Sequence, residues 1–263
     1  MTPTTLAVDH YDRLLAEHYT WMLGGDLPGL VAGQRALLTE LGVRPDGAGR
    51  RAVDLGCGPG HTSLALAGLG FERVLAVDLS RRLLAELERN AAEVPAVRPV
   101  HGDLRAALRE HVGPGTADAV VCLGDTLTHL PTRGDVAALL NDIADALTPD
   151  GTAVLSYRDL TVPLTGTDRF LPVRATEDRI MTCFLEYPDD FDDYTVVVHD
   201  LVHVREVGRD GGENWTLKTG SYRKLRLAHA WVVRQCHTAG LRVVGERSAQ
   251  GGAWRTVALR LAG

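Results

Sequence analysis

Nine residues restrict the fold of this chain more than any others: Val53-Asp54-Leu55-Gly56-Cys57-Gly58-Pro59-Gly60-His61. A short apolar run, Ala52, Val53 and Leu55, leads into three glycines at alternate positions, and an apolar-periodic segment from Thr62 to Leu69 follows. That order reads as a strand, a tight turn and the start of a helix. Glycine suits the turn because it adopts positive φ and lets a ligand lie against the backbone. Amides at the new helix's N-terminus then face that ligand. The plain alternative is a turn that binds nothing. Among ligands, spacing discriminates: a dinucleotide turn carries G-x-G-x-x-G, whereas this chain has Asp-x-Gly-x-Gly-x-Gly with Pro59 at a position such a turn keeps flexible.

The flanking sequence continues the alternation of strand and helix. Arg73 to Asp78 (RVLAVD), Val97 to Gly102, Asp118 to Leu123 and Thr152 to Tyr157 read as further strands, and Asp135 to Leu147 as a helix stopped by Pro149-Asp150-Gly151. A parallel sheet covered by helices follows, with ligands expected at the strands' carboxyl ends. Asp54, Asp78 and Asp103 fall at three successive strand ends. Asp78 can accept two hydrogen bonds from a ribose diol, a pairing that NAD enzymes also use. Its structural alternative is a helix cap, a role that Ser80 can fill instead.

Composition narrows the partner. The 263 residues, 45% apolar, suffice for one α/β domain of about 200 residues and a substantial insertion. A formal net charge of −6 argues against nucleic acid and anionic membranes, which select clustered Lys and Arg. A small-molecule substrate is expected. Met1 to Asp9 lacks a basic segment followed by an apolar run, and no stretch approaches 18 apolar residues, so a cytoplasmic protein is expected. Cys57, Cys122, Cys183 and Cys236 form no C-x-x-C pair, which points to buried small residues and to neither zinc nor a disulfide framework.

The Asp54 to Gly60 turn resembles motif I of the class I S-adenosylmethionine (SAM) dependent methyltransferases. The resemblance implies that Gly56, Gly58 and Gly60 pack against the methionine part of SAM, and that Asp54 helps hold its amino group. It places Asp78 at the ribose and the following Leu79 in the cofactor site, and assigns Asp103 with Leu104 to adenine. Gly124-Asp125-Thr126-Leu127-Thr128-His129-Leu130-Pro131, after Leu123, resembles the G-N-S-x-x-H-L-P segment of glycine N-methyltransferase and its relatives, which borders SAM near the transferred methyl. Asp125 replaces the Asn and Thr126 the Ser. The carboxylate of Asp125 is therefore a candidate to orient an amine or act as a base, and His129 to bond the cofactor or move a proton. Leu123 and His129 join the implied cofactor wall.

The remaining segments supply candidates for the acceptor. His10 to Gly24 reads as an amphipathic helix that packs on the domain edge or, as in many small-molecule methyltransferases, closes as a lid carrying Tyr11 toward substrate and Tyr19 toward cofactor. A second helix is expected over Gly29 to Leu41. Arg158, at the end of the fifth strand, is a candidate to bind a substrate carboxylate bidentately or to pair with Asp159. From Thr161 to Tyr222 the rhythm breaks into β-rich runs, Arg169 to Val173, Arg179 to Tyr187, Thr195 to Val207 and Trp215 to Tyr222, separated by Pro188-Asp189-Asp190 and Arg209-Asp210-Gly211-Gly212. Arg169, Cys183, Glu186, Tyr187, His199, Tyr222 and Arg223 are candidates to line this insertion. His199 and His203 lie too far apart along a strand, about 13 Å, to share a metal ion, and Asp200 points the other way, so no metal is expected. A last helix is expected over Lys224 to Gly240, then two strands, Leu241 to Gly245 and Trp254 to Leu261.

The expected fold is thus α/β: a Rossmann-like seven-stranded methyltransferase sheet of order 3-2-1-4-5-7-6, with an antiparallel insertion between strands 5 and 6. Residues 1–49 form a helical segment, 50–160 and 224–263 the SAM-binding core, and 161–223 a substrate cap. The function the resemblance implies is SAM-dependent methylation of a small molecule, most simply the nitrogen of an amine or amino acid. O-, S- or C-methylation is the alternative, and a nicotinamide-dependent oxidoreductase or a non-catalytic SAM-binding module are rivals of other classes. Exposed apolar strands in the insertion would support a homodimer.

Overall fold

The computed structural model describes residues 8–46, 49–189, 194–207, 212–248 and 253–263. The turns expected around Asp190 and over Arg209 to Gly211, and the first seven residues, lie outside them.

Strands β1 (Arg51–Leu55), β2 (Arg73–Asp78), β3 (Val97–His101), β4 (Ala117–Cys122) and β5 (Leu147–Arg158) pair in parallel. Their apolar content follows from burial on both faces, with β4 buried along its whole length. The insertion contributes β6 (Phe170–Ala175), β7 (Arg179–Glu186), β8 (Thr195–Val207) and β9 (Glu213–Leu225). Two strands, β10 (Leu241–Ser248) and β11 (Trp254–Leu261), return to the main sheet, where β11 lies antiparallel to both β5 and β10. The main sheet runs β10-β11-β5-β4-β1-β2-β3, the expected order, and β6-β7-β8-β9 form a separate antiparallel sheet.

Two apolar cores flank the main sheet. One packs Leu139, Leu140 and Ile143 of the helix Arg133–Ala146 against Val53, Val120 and Leu155, and the other packs Leu66 and Leu87 against Ala52, Val74 and Val121. The third core joins the insertion to the N-terminal segment through Leu14, Leu15, Met181, Leu185, Val198 and Val202. Alternation on β8 explains that core: Val196, Val198, Asp200 and Val202 face inward, while His199 and His203 take the opposite face.

Three local expectations need correction. The His10 to Gly24 segment is not one helix but a π turn (Tyr11–Leu15), a 3-10 turn (Ala16–His18) and an α turn (Tyr19–Met22). Its bonds cross the molecule: His10 Nε2 lies 2.7 Å from Asp200 and Trp21 donates to Thr176, while Asp12 accepts from Ser80 and Glu86 from Thr20. Pro149-Asp150-Gly151 does not stop a helix. The helix ends at Ala146, Leu147 already pairs with Ala117, and the Pro-Asp-Gly stretch is an excursion before Thr152 rejoins opposite Ala119. Lys224 does not begin the last helix, which runs from His229 to Thr238; β9 continues through Leu225 because Val196 and Thr195 pair with Lys224 and Leu225.

Candidate active site

The carboxyl ends of β1 to β4 open into a cleft, where an open α/β sheet binds its ligands. Gly56, Gly58, Asp78, Leu79, Gly102, Asp103, Leu104, Thr126 and His129 line it, and Val8, Tyr11 and Tyr19 close it from the N-terminal segment.

The glycine turn has the conformation its composition demands. Gly56 and Gly60 sit at φ 73° and 94°, and a Cβ would collide with Thr126 at the first and with Leu87 at the second. The amides of Gly56 and Cys57 donate to the Val77 carbonyl at 2.8 and 3.0 Å. Asp78 fixes the next step, accepting from the Gly58 amide at 2.9 Å and from the Ser80 amide at 2.8 Å. Burial pushes the Asp78 carboxyl up, and those two amides oppose it.

The other cofactor candidates divide. Leu79, Asp103 and Leu104 are on the wall. Asp103 also caps the helix Leu104–His111 by accepting from the Arg105 amide, and Arg105 bonds its carboxylate at 2.5 Å, which outweighs burial and holds that carboxyl low. Asp54 lies behind the turn, 1% exposed, and accepts from the Ser63 hydroxyl at 2.6 Å; burial pushes its carboxyl up to about 7. Leu123 is buried and, like Gly60, is not part of the wall.

The three catalytic candidates have different surroundings from those expected. Asp125 is not a free carboxylate. It accepts from the Arg158 amide at 3.0 Å, from the Arg158 guanidinium at 2.7 Å and from the Lys224 ammonium at 2.6 Å. Burial would raise its carboxyl, but the two cations hold it well below the usual range, so Asp125 is no proton acceptor at neutral pH. Arg158 is correspondingly committed to Asp125 and not to Asp159, which accepts from Thr161 and the His229 amide.

His129 is brought together with the N-terminal segment. The Tyr11 hydroxyl lies 3.2 Å from His129 Nε2, and the imidazole stacks on Tyr222 at a centroid separation of 5.3 Å. Burial, with Lys224 adding to it, pushes His129 down to about 3, so the ring is neutral. Burial also holds the Tyr11 phenol well above its ordinary value, so Tyr11 keeps its proton and donates to Nε2. The imidazole proton is thereby assigned to Nδ1, which has no partner among the described residues.

The insertion candidates separate by face. Cys183 and Tyr222 face the inner core, whereas His199 pairs with Glu186 at 2.8 Å on the outer face, and Arg169 lies over Phe184 there. Arg223 bonds Thr195, and Arg226 lies over Tyr187. Among the described residues no group of three His, Cys, Asp or Glu could hold a metal ion. The residue that sequence reasoning missed is Lys224, whose side chain is 3% exposed. The signal was present: Gly220, Tyr222 and Lys224 alternate on one face of a strand.

Comparison with known proteins agrees with this geometry. Residues 52–151 match the family described as "Methyltransferase domain". The chain is 36% identical over 154 residues to the cypemycin N-terminal methyltransferase of a Streptomyces species, covering 52% of this chain and 60% of that protein. It is 38% identical over 94 residues to a ubiquinone biosynthesis O-methyltransferase of Burkholderia cenocepacia, covering 35% of this chain and 38% of that protein. The chain thus spans between about two fifths and three fifths of these relatives. Its fold is that of SAM-bound CalS10, an amino pentose methyltransferase from Micromonospora echinaspora, with a TM-score of 0.66, 21% identity and coverage of 94% and 96% of the two chains.

Proposed function

We propose that this chain, with a methyltransferase domain at residues 52–151, transfers a methyl group from S-adenosylmethionine to the nitrogen of a small amine or amino acid. The cleft fits the cofactor: Gly56 and Gly58 line it with backbone alone, Asp78 stands at the end of β2 for a ribose diol, and Leu79 and Leu104 offer apolar walls beyond it. When bound, SAM supplies a methyl carbon already activated by its sulfonium. The protein's work is to position the acceptor, exclude water and deliver it with a free lone pair.

The observation that carries the nitrogen reading is the Tyr11–His129 pair on the cleft wall. An ammonium must lose a proton before it can attack. In this reading the acceptor sheds that proton to water and binds as the free amine, its N–H donating to the Tyr11 oxygen while the Tyr11 hydroxyl donates to the neutral His129 ring, so that the pair aims the lone pair at the methyl. The cypemycin enzyme's name supports an amino acceptor; the O-methyltransferase relative supports a hydroxyl, for which a His129 ring pushed down to about 3 is a poor base. Tyr222 backs the pair by stacking on His129.

Methyl transfer from labelled SAM to a panel of amines and amino acids tests this. Tyr11→Phe and His129→Gln are each expected to lower kcat by about 100-fold through misplacement of the acceptor while S-adenosylhomocysteine still binds by calorimetry. Turnover on thiols or hydroxyls with none on amines would refute the acceptor assignment.

Among the described residues no helix is long and apolar enough to cross a membrane, and we propose a cytoplasmic site of action. The outer face of the insertion sheet exposes Phe170, Ile180, Trp215 and Leu217, which supports pairing with a second copy. Light scattering is expected to give twice 28.4 kDa for the native chain and 28.4 kDa for Leu217→Lys; a native monomer would end that proposal.

A further inference from the structure

The inner end of the cleft is walled by aromatic rings. Tyr11 and His129 meet nearly at right angles, 78°, with centroids 5.4 Å apart, and Tyr19 adjoins Tyr11 at 6.0 Å and 43°. All three line the cleft beside Gly56 and Gly58. Tyr222 supports them from behind, stacked on His129 and 6.1 Å from Tyr11. Perpendicular neighbours make a corner, and a third ring turns the corner into part of a box.

The carboxylates around this corner are already engaged. Asp125 is bonded to Arg158 and Lys224, Asp78 to the Gly58 and Ser80 amides, Asp54 to Ser63, and Asp200 to His10 and Cys183. A cation at the inner end therefore has three rings within the lining, Tyr11, Tyr19 and His129, and no uncommitted carboxylate among these four. Ring faces attract cations by their quadrupole, and most strongly where water is excluded.

We propose that Tyr11, Tyr19 and His129, backed by Tyr222, form a cage for an alkylated ammonium, so that the methylated product remains a ligand and is methylated again. This rests on the nitrogen reading above. A site that recognises an amine by N–H hydrogen bonds loses one bond at each methylation. A cage of rings does not, because the charge persists and every new methyl adds contact with a ring.

The second round balances in the same way as the first. The product ammonium releases its proton to solvent water as S-adenosylhomocysteine is exchanged for fresh SAM, which restores the nitrogen lone pair. That pair forms a second N–C bond as the S–C bond of a fresh SAM breaks, its electrons staying on sulfur. A fully substituted ammonium has no proton to lose and acts as an inhibitor.

The test uses the full chain saturated with S-adenosylhomocysteine, titrated calorimetrically at fixed ionic strength with the chlorides of ammonium, methylammonium, dimethylammonium, trimethylammonium and tetramethylammonium. Affinity is expected to rise along the series, by about tenfold from first to last. Tyr11→Phe is expected to keep this trend while losing turnover, since it keeps the ring and lacks the hydroxyl; Tyr11→Leu is expected to flatten it. A flat or falling series in the native protein, or no binding of any of these salts, overturns the cage. The two readings separate: amines methylated with a flat series would leave the reaction standing and remove the cage, whereas a rising series with hydroxyl-only turnover would remove the reaction.

Discussion

Replacing Asp78 with alanine is expected to weaken binding of both SAM and S-adenosylhomocysteine by more than 100-fold in calorimetry. The side chain has two tasks. Its oxygens hold the Gly58 and Ser80 amides at 2.9 and 2.8 Å, fixing the glycine turn against the start of the helix Arg81–Asn90, and it lines the cleft. Hydrogen bonds to a charged group contribute about 1.5–3 kcal/mol each, so losing the scaffold bonds and any ribose contact exceeds the roughly 3 kcal/mol that a 100-fold change requires. Asp78→Asn should fall between, because an amide retains one acceptor oxygen but turns an N–H toward a backbone N–H. Adenosyl affinity within fivefold of the native protein in Asp78→Ala would show that β2 does not position the cofactor.

The second large effect is expected at Lys224, where methionine should destabilise the fold. The ammonium is buried against Asp125 at 2.6 Å and joins the insertion to the end of β4. Removing one member of a buried ionic cluster costs about 3–5 kcal/mol, or roughly 10 °C in thermal midpoint for a chain of this size. The pH dependence has a definite sign. The Asp125 carboxyl is depressed in the fold, so its stabilisation is complete above the ordinary carboxylate range and is lost as pH falls through the folded value. Lys224→Met raises that folded value, so the variant should lose the remaining contribution at a higher pH than the native protein does. Adding Asp125→Asn to the variant should recover part of the loss by removing the stranded charge. A midpoint for Lys224→Met within 2 °C of native would mean that Arg158 alone satisfies Asp125.

The sheet was legible in the sequence because its signals are local. Val53 to Gly60 carries strand, turn and helix start within ten residues, and β2 was bounded correctly because an apolar run ends in an acid. The order of the sheet came from resemblance and agrees with the strand pairing. Partner choice was less legible, because a side chain's partner is set by residues distant in the chain. Asp125 and Lys224 are 99 residues apart, and Tyr11 and His129 are 118 apart. Neither separation leaves a periodic trace. Lys224 was further obscured because the strand-to-helix junction puts a cation where a helix would also accept one. The N-terminal segment misled for another reason: its apolar spacing is helical, but bonds to Ser80, Glu86, Thr176 and Asp200 pull it into π and 3-10 turns.

The position of β11 has a consequence for synthesis. It follows every other described strand in the sequence, yet it lies inside the main sheet, with β5 on one side and β10 on the other. Until residues 254–261 have left the ribosome, β5 presents an open edge of unpaired amides and carbonyls, and β10 has no place to dock. An open, apolar edge is a template for pairing with another chain. The nascent protein is therefore most vulnerable to aggregation in the interval between the synthesis of β5 and that of β11.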